Sequence, residues 1–264
     1  MRLSVSRNIL LAIAASLALA LPGRAVAGSH HAHTRPLVVV LDPGHGGDDS
    51  GAASADGTLL EKTMTLAVAR LAARDLQRLG FRVYLTRTRD QAVNTPPRDL
   101  NHDGKIDHVD ELDARNLFAN RHHADLFVSI HFDGSGDSSV HGTHGYYCPA
   151  RPFWRNSRRL ADLLTASLSS SLHAAALDDP NLGVQTDVAD VIPQTRADYP
   201  WFLVLGPSLK RFITGSAMPG ALIETLFMSS PHDDAIMRKP SGLAALARGY
   251  TEGILAYFNG KSSR

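Results

Sequence analysis

The sequence has few of the features that mark specialised protein classes. Its 264 residues include one cysteine, Cys148, which excludes an intramolecular disulfide. The 27 basic residues nearly balance 26 acidic ones, without a basic stripe that would bind nucleic acid or an anionic membrane. The longest apolar run, residues 9–21, is shorter than the ~20 residues of a membrane-spanning helix. Stability must therefore come from an ordinary hydrophobic core, for which the chain is long enough.

The amino-terminal segment has the pattern of a secretory signal peptide. Arg2 and Arg7 precede the apolar run, and the small residues of an Ala-Val-Ala cleavage site end at Ala27. We expect residues 1–27 to be removed, so that the mature chain has 24 basic and 26 acidic residues. Residues 28–36 are expected to form a flexible leader. A membrane anchor is the weaker alternative because the apolar run is short. The pattern predicts export to the periplasm or the extracellular space, without stable membrane insertion.

Apolar runs alternate with helical periodicity along the rest of the chain. Predicted strands cover residues 37–41, 81–86, 124–131, 145–148 and 220–225. Predicted helices cover residues 59–79, 112–123, 157–176 and 243–258, and residues 178–219 look irregular. This alternation is typical of an α/β fold. We expect a single domain over residues 37–260, with a twisted, mostly parallel sheet and helices on both faces.

Three predicted strands end in residues that can bind a metal or work beside one. His45 follows the first strand, His131 ends the third, and Glu224 lies at the end of the last. Glu61 lies at a predicted helix start. Ligands collect at the carboxyl ends of strands in such sheets. Two imidazoles and a carboxylate are a usual catalytic zinc set, in which the metal acidifies water, and a second carboxylate is needed to move the proton.

Each of these residues has a structural alternative when taken alone. A histidine at a strand end is more often a hydrogen-bonded structural residue, and Glu61 could merely favour the helix dipole. The glycine-rich segment at residues 44–47 lacks the Lys-Ser/Thr of a phosphate loop. The remaining histidines nearby are interpreted as solvated or structural: His122, His123, His141 and His144. The coincidence of four suitable residues at converging positions favours the metal site.

The motifs around these residues resemble the zinc-dependent N-acetylmuramoyl-L-alanine amidases of the Amidase_3 type. They are VLDPGHGG at 40–47, SGA at 50–52, EK at 61–62, LTR at 85–87, AN at 119–120, ADLFVSIH at 124–131 and ETLFMS at 224–229. The resemblance covers about residues 37–258. It implies that His45, Glu61 and His131 bind zinc and that Glu224 is the catalytic carboxylate. It also implies hydrolysis of the peptidoglycan amide bond between the N-acetylmuramoyl lactyl group and L-alanine.

The sequence departs from the family pattern at a few positions. Asp133 stands where the family usually has asparagine, and Leu226 and Ser230 replace the usual Gly and Asn near the last motif. No ligand is lost. A carboxypeptidase acting on wall peptides and a non-catalytic wall binder stay open as alternatives, although a binder has no need of Glu224. Stem-peptide preference, biological role, oligomeric state and any activator protein are not decided by the sequence.

Residues 99–110 have the spacing of an EF-hand-like calcium loop. The candidate ligands are Asp99, Asn101, Asp103, Lys105 through its backbone carbonyl, Asp107 and Asp110. Gly104 holds the sixth position and Ile106 the eighth, as in such loops. Because Asp110 stands where glutamate is commoner, the loop resembles the dockerin-like motif of secreted proteins. A solvated acidic turn is the alternative. We expect calcium to stiffen this insertion rather than take part in hydrolysis.

Overall fold

A computed structural model describes residues 35–188 and 198–260. The strands are β1 (Val38–Pro43), β2 (Arg82–Leu85), β3 (Leu126–Asp133), β4 (Thr143–Tyr147), β5 (Asn181–Thr186) and β6 (Gly220–Phe227). The helices are α1 (Glu61–Arg78), α2 (His108–Arg121), α3 (Trp154–Ala174), α4 (Pro231–Met237) and α5 (Pro240–Asn259). The expected signal peptide and nearly all of the leader lie outside the described residues. Within them, no helix has both the length and the apolar character to cross a membrane.

The strands form one sheet in the order β2-β1-β3-β6-β4-β5. β1 pairs in parallel with β2 and β3, and β6 is parallel to β3. The β4–β6 pair is antiparallel, whereas β4 and β5 are parallel. The expectation of a single α/β domain with a mostly parallel sheet is therefore confirmed. The reversal at β4 brings its amino-terminal end to the carboxyl ends of β1, β3 and β6.

Both faces of the sheet are covered, which explains the continuous apolar runs of its central strands. Val39 and Leu41 point to one face and join a core with α1, α3 and α5. Val38 and Val40 point to the other face and pack with Ala119 of α2 and with part of the segment at 201–218. Alternate residues of β1 thus belong to separate cores, as the two-residue period of a strand requires.

The turn from α1 into β2 shows how local sequence ends an element. Gly80 has φ +90°, a conformation that L side chains rarely adopt. Its N–H donates to the carbonyl of Gln77, and the N–H of Phe81 donates to that of Leu76. These two bonds form a Schellman motif, and Phe81 packs against the same core as Leu76. The predicted end of this helix at residue 79 follows from this chemistry.

Two elements have no counterpart in the sequence-based prediction. β5 lies within the stretch expected to be irregular, and its residues are exposed or half-buried, so it lacks the apolar alternation of a half-buried strand. α4 is one short helix that begins with Pro231 after the capping residue Ser230. α2 begins at His108 rather than at residue 112, because Asp107 and Asp110 form a capping box at its start.

Candidate metal centre and active site

The turn that follows β1 carries His45 in a left-handed backbone conformation. His45 has φ 59°, which is uncommon for a residue other than glycine. Two buried guanidinium groups bind the carbonyls of this turn. Arg87 donates from Nη2 to Gly44 O at 2.8 Å, and Arg115 donates from Nη2 to His45 O at 2.9 Å. The surrounding structure therefore holds the strained conformation in place.

His45, Glu61 and His131 meet at the carboxyl ends of the parallel strands. His45 Nε2 lies 2.9 Å from Glu61 Oε1, and His131 Nδ1 lies 3.0 Å from the same oxygen. One ligand atom from each of the three residues lies within 4.8 Å of the others. The structure thus brings together the three residues proposed as zinc ligands. Two nitrogen donors and one carboxylate oxygen at this spacing fit a divalent metal such as zinc.

Polar partners orient two of these side chains. His45 Nδ1 lies 2.8 Å from Asp49 Oδ2, so Nε2 is the ring nitrogen that faces Glu61. The backbone N–H of Ala52 donates to Glu61 Oε2 at 2.8 Å, and that of Phe132 donates to Oε1 at 3.0 Å. A carboxylate beside the outer ring nitrogen is a common support for a metal-binding histidine. Asp49 was not predicted from sequence as a site residue, although it stands only four positions after His45.

Glycine leaves the space that this group occupies. A Cβ atom on Gly44 would lie 2.3 Å from His131 Cε1. A Cβ on Gly51 would lie 2.4 Å from Glu61 Oε2 and 2.6 Å from His45 Cδ2. Such distances are far inside van der Waals contact. The two glycines are therefore required by the close approach of the three side chains.

Glu224 lies beside this group on the neighbouring strand. His131 of β3 and Glu224 of β6 are direct partners in the strand register. Glu224 Oε2 is buried and has no hydrogen-bond donor among the described residues. Burial, with the negative charges of Glu61 and Asp133, raises the pKa of Glu224 well above its ordinary value. A carboxyl group in this state is suited to taking up and releasing a proton.

The carboxylates next to His45 favour the protonated form of its imidazole. Burial opposes the charge on His45, but hydrogen bonds to Asp49 and Glu61 outweigh it and raise the pKa of His45 to about 9. Burial likewise opposes the charge on Glu61, yet His131 and His45 hold the pKa of that carboxyl well below its ordinary value. A metal would have to displace the proton of His45, so binding there depends on pH.

A cleft of about 580 Å³ opens above these residues. His45, His131 and Glu224 line this cleft together with other polar residues and a set of apolar side chains. The apolar lining consists of Leu112, Trp201, Phe202, Leu203, Val204 and Leu222. A partly apolar cleft with a few converging polar groups is the usual arrangement of a ligand site. Trp201 and Phe202, from the stretch expected to be irregular, thus contribute to the lining of this cleft.

The loop at residues 99–110 uses its acidic side chains on its own backbone. Asp99 accepts from the N–H groups of Asp103 and Gly104, and Asp103 accepts from that of Lys105. Asp110 accepts from the N–H groups of Leu100 and Asp107, the second bond closing the capping box of α2. In the described parts of the chain, these acids do not form a group of three with ligand atoms within 4.8 Å. Calcium binding therefore stays a prediction.

The structure also brings together four residues that were not predicted to form a group. His141, Asp179, His232 and Asp233 place one ligand atom each within 4.8 Å of one another. His141 had been interpreted as solvated or structural. Its partners come from distant parts of the chain, so no sequence spacing marks them as a group.

An α/β sheet with a His–Glu–His group and a buried carboxylate at its strand ends is the arrangement typical of metal-dependent hydrolases. Within that class, the chain belongs to the N-acetylmuramoyl-L-alanine amidase family Amidase_3, whose sequence pattern matches residues 39–256. This match confirms the resemblance carried by the sequence motifs.

Individual relatives are similar at modest identity. N-acetylmuramoyl-L-alanine amidase AmiC of Neisseria meningitidis is 29% identical over 85% of this chain and 53% of its own length. The probable cell wall amidase LytH of Staphylococcus aureus is 27% identical over 84% of this chain and 58% of its own. The chain thus spans about half the length of these relatives. The solved amidase AmiC2 of Nostoc punctiforme is 26% identical, with a TM-score of 0.61 over 84% of this chain and 97% of that one.

Proposed function

We propose that this chain is a zinc-dependent N-acetylmuramoyl-L-alanine amidase of bacterial peptidoglycan. It would hydrolyse the amide bond between the N-acetylmuramoyl lactyl group and L-alanine of the stem peptide. His45, Glu61 and His131 would hold the zinc ion and Glu224 would be the catalytic carboxylate, within a domain over residues 37–260. The observation that carries the proposal is the convergence of these four side chains at one cleft in a member of this family.

The donor set suits this chemistry. When bound, zinc supplies a Lewis acid toward the amide carbonyl and toward water. Glu224 takes the proton from the attacking water and passes it to the leaving amine of L-alanine. The proton-accepting atom is Glu224 Oε2, which is buried and has no hydrogen-bond donor among the described residues. Asp49 keeps His45 Nε2 directed at the site, and the glycines at 44 and 51 leave the ligands their space.

The cleft wall fits a polymer with both sugar and peptide parts. Trp201, Phe202 and Leu112 provide an apolar surface on which a sugar ring or the methyl group of L-alanine can rest. Glu111 and Arg115, which pair at 2.9 Å, add polar groups to the same cleft. These contacts would orient the amide bond relative to Glu224.

Mass spectrometry of digested cell-wall material tests the bond that is cut. We expect free stem peptides that begin with L-alanine, released from glycan strands that keep their lactyl groups. Shortened peptides that remain on the sugar would support a carboxypeptidase instead. Stoichiometric binding to the wall without any released product would support a binding protein. Either result overturns the amidase proposal.

We also propose that residues 99–110 bind calcium and that the ion stiffens this loop. Support comes from the ligand spacing and from the turn itself, in which His102 has φ 60° and Gly104 has φ 92°. The site would use Asp99, Asn101, Asp103, the carbonyl of Lys105, Asp107 and Asp110. Removing calcium while zinc is kept saturating should lower the melting temperature in calorimetry. An unchanged melting temperature would show that the acids serve only the turn and the cap of α2.

We further propose that residues 1–27 direct export and are cleaved, with residues 28–36 as a leader. The charged start, the short apolar run and Ala27 support this. The substrate class of the proposed activity also lies outside the cytoplasm. Expression with the native amino terminus should yield a protein that begins at Gly28 by amino-terminal sequencing. Recovery of the uncleaved chain in the membrane fraction would indicate an anchor.

A further inference from the structure

A second group of ligating side chains lies near the amino-terminal ends of β4 and β5. His141 Nδ1 lies 2.9 Å from Asp179 Oδ1 and 4.0 Å from Asp233 Oδ1. His232 Nε2 lies 3.7 Å from Asp179 Oδ1, and the two imidazole rings are 4.5 Å apart. One residue precedes β4, another precedes β5, and two belong to the first turn of α4. The group therefore joins three segments that are far apart in the chain.

The two carboxylates of this group are buried without enough donors. Both side chains have no solvent exposure. Asp233 Oδ2 accepts from the N–H groups of Gly142 and Phe227, which fixes its orientation. Asp233 Oδ1 and Asp179 Oδ2 have no hydrogen-bond donor among the described residues. A buried carboxylate oxygen without a partner is unfavourable, so something must neutralise this pair.

We propose that His141, Asp179, His232 and Asp233 form a second divalent metal site, with zinc as the metal that fits best. Two imidazole nitrogens and two carboxylate oxygens are ligands that zinc accepts, and four protein ligands are typical of a structural site. A tetrahedron with bonds of about 2.0–2.2 Å has edges of roughly 3.3–3.6 Å. The ligand atoms are separated by 2.9 Å between His141 and Asp179, 3.7 Å between His232 and Asp179, and 4.0 Å between His141 and Asp233. These separations lie on both sides of that range.

The charge balance and access of the group agree with a bound cation. Two fully buried carboxylates, each with one oxygen that has no hydrogen-bond donor among the described residues, leave a local deficit of positive charge, which a metal supplies. A surface groove lined by His141, His173 and Asp179 gives an entry path. His232 Nε2 contacts the carbonyl of Asp178 at 2.9 Å, a bond that metal binding would replace.

The site would serve the fold rather than the hydrolysis. It connects the chain before β4, the chain before β5 and the start of α4. β5 is an edge strand whose residues are exposed or half-buried, so it has little apolar burial to hold it. A metal bound to Asp179 would fix the point at which the chain enters this strand.

The proposal is tested in a chain whose first group is disabled by His45→Ala and His131→Ala. In this background His30, His31 and His33 of the leader are also replaced by serine, so that they cannot bind metal. Titration with zinc alone should then show one equivalent bound and a rise in melting temperature. His141→Gln combined with His232→Gln should remove that equivalent or weaken binding at least 10-fold. His123→Gln, at an exposed histidine between α2 and β3, is the control and should change neither result.

The two histidine substitutions leave the buried carboxylates in place, so loss of zinc binding can be separated from loss of folding. Circular dichroism of the ion-free variants should match that of the background. If the background binds no zinc, or binds it equally well without His141 and His232, the proposal is wrong. A proton shared between Asp179 and Asp233 is the remaining account of the pair, and it predicts stability without zinc dependence. None of these outcomes depends on amidase activity.

Discussion

Single residues decide whether the three candidate ligands can approach one another. Gly51 has φ +64° and lies where a Cβ would meet both Glu61 and His45. Gly57 has φ +70° with nothing within 4 Å of a Cβ. Comparing these two positions separates the cost of backbone strain from the cost of a steric clash. An alanine at residue 57 would meet only the strain, whereas an alanine at residue 51 would meet both.

Gly51→Ala should therefore destabilise the protein more than Gly57→Ala does. We expect about 1 kcal/mol for Gly57→Ala from backbone strain, and about 1–3 kcal/mol more for Gly51→Ala from the clash. Urea denaturation of the ion-free proteins measures both values. Zinc affinity should also fall only for Gly51→Ala. Equal losses for the two variants would show that the site tolerates a Cβ at residue 51.

Asp49 is expected to act through His45 rather than on the substrate. Its side chain is 63% exposed, yet it holds His45 Nδ1 at 2.8 Å. Asp49→Asn should weaken zinc binding about 10–100-fold, because it removes the carboxylate that orients the ring. The adjacent exposed Asp48 provides the control, since Asp48→Asn removes the same charge without touching His45. Zinc titration that gives equal affinities for both variants would contradict this role.

Glu224 should be needed for turnover and not for metal binding. Glu224→Gln keeps the shape of the side chain but removes the proton acceptor, so amide hydrolysis should fall by about 10²–10⁴-fold. The zinc content of this variant, measured by elemental mass spectrometry, should match that of the original protein. Glu252→Gln, on an exposed position of α5, is a control for the loss of one carboxylate. Full activity in Glu224→Gln would remove this residue from the proposed mechanism.

At the scale of elements, a buried ion pair connects β1 to α2. Arg115 Nη1 donates to Asp42 Oδ1 at 2.8 Å, and neither side chain is more than 3% exposed. Burial opposes the charge on Asp42, but Arg115 and the hydroxyls of Thr86 and Ser129 hold the pKa of that carboxyl below its ordinary value. Because Arg115 also binds His45 O, this pair links the position of α2 to the strained turn.

Arg115→Leu should cost about 3–5 kcal/mol of unfolding free energy, since it leaves the charge of Asp42 buried and unpaired. Adding Asp42→Asn to Arg115→Leu should recover part of the loss. Arg121→Leu, at an exposed position of the same helix, should have little effect. Guanidinium denaturation of the four proteins completes the comparison. A double variant that is less stable than Arg115→Leu would indicate that the pair is not coupled in this way.

At the scale of the whole molecule, stability and metal binding should respond to pH in opposite directions. The pKa of His45 is raised from 6.5 to about 9, so its contribution to the ion-free fold is complete below pH 6.5. That contribution is lost as the pH rises through about 9. Glu61 stays ionised over this window because its pKa is lowered. Deprotonation of His45 frees Nε2 for a metal over the same range.

Denaturation in the presence of a chelator should therefore show falling stability between pH 6.5 and 9, while zinc affinity rises. His45→Gln should remove this part of the stability change, because glutamine does not titrate. His123→Gln is a control for a histidine that lies away from the group. Stability that is flat across the window in the original protein would contradict the proposed charge state of His45.

Much of the fold and the candidate catalytic residues could be predicted from sequence, because both leave local patterns. The buried strand before His45 and the one that ends at His131 are continuous apolar runs, which record burial on both faces. Glycines beside His45 and Glu61 reflect a steric requirement at those positions. The short edge strand β5 could not be predicted, since its exposed residues carry no apolar alternation.

The sequence by itself determined which residue types stand at the strand ends, since the candidate ligands lie within recognisable local motifs. Only the tertiary structure decided that Arg115 binds the turn at His45, that residues 201–204 form the cleft wall, and that His141 meets Asp179 and Asp233. These contacts join residues that are tens of positions apart. They depend on the order of the strands and on the reversal at β4, and no local pattern of hydrophobicity or charge records either one.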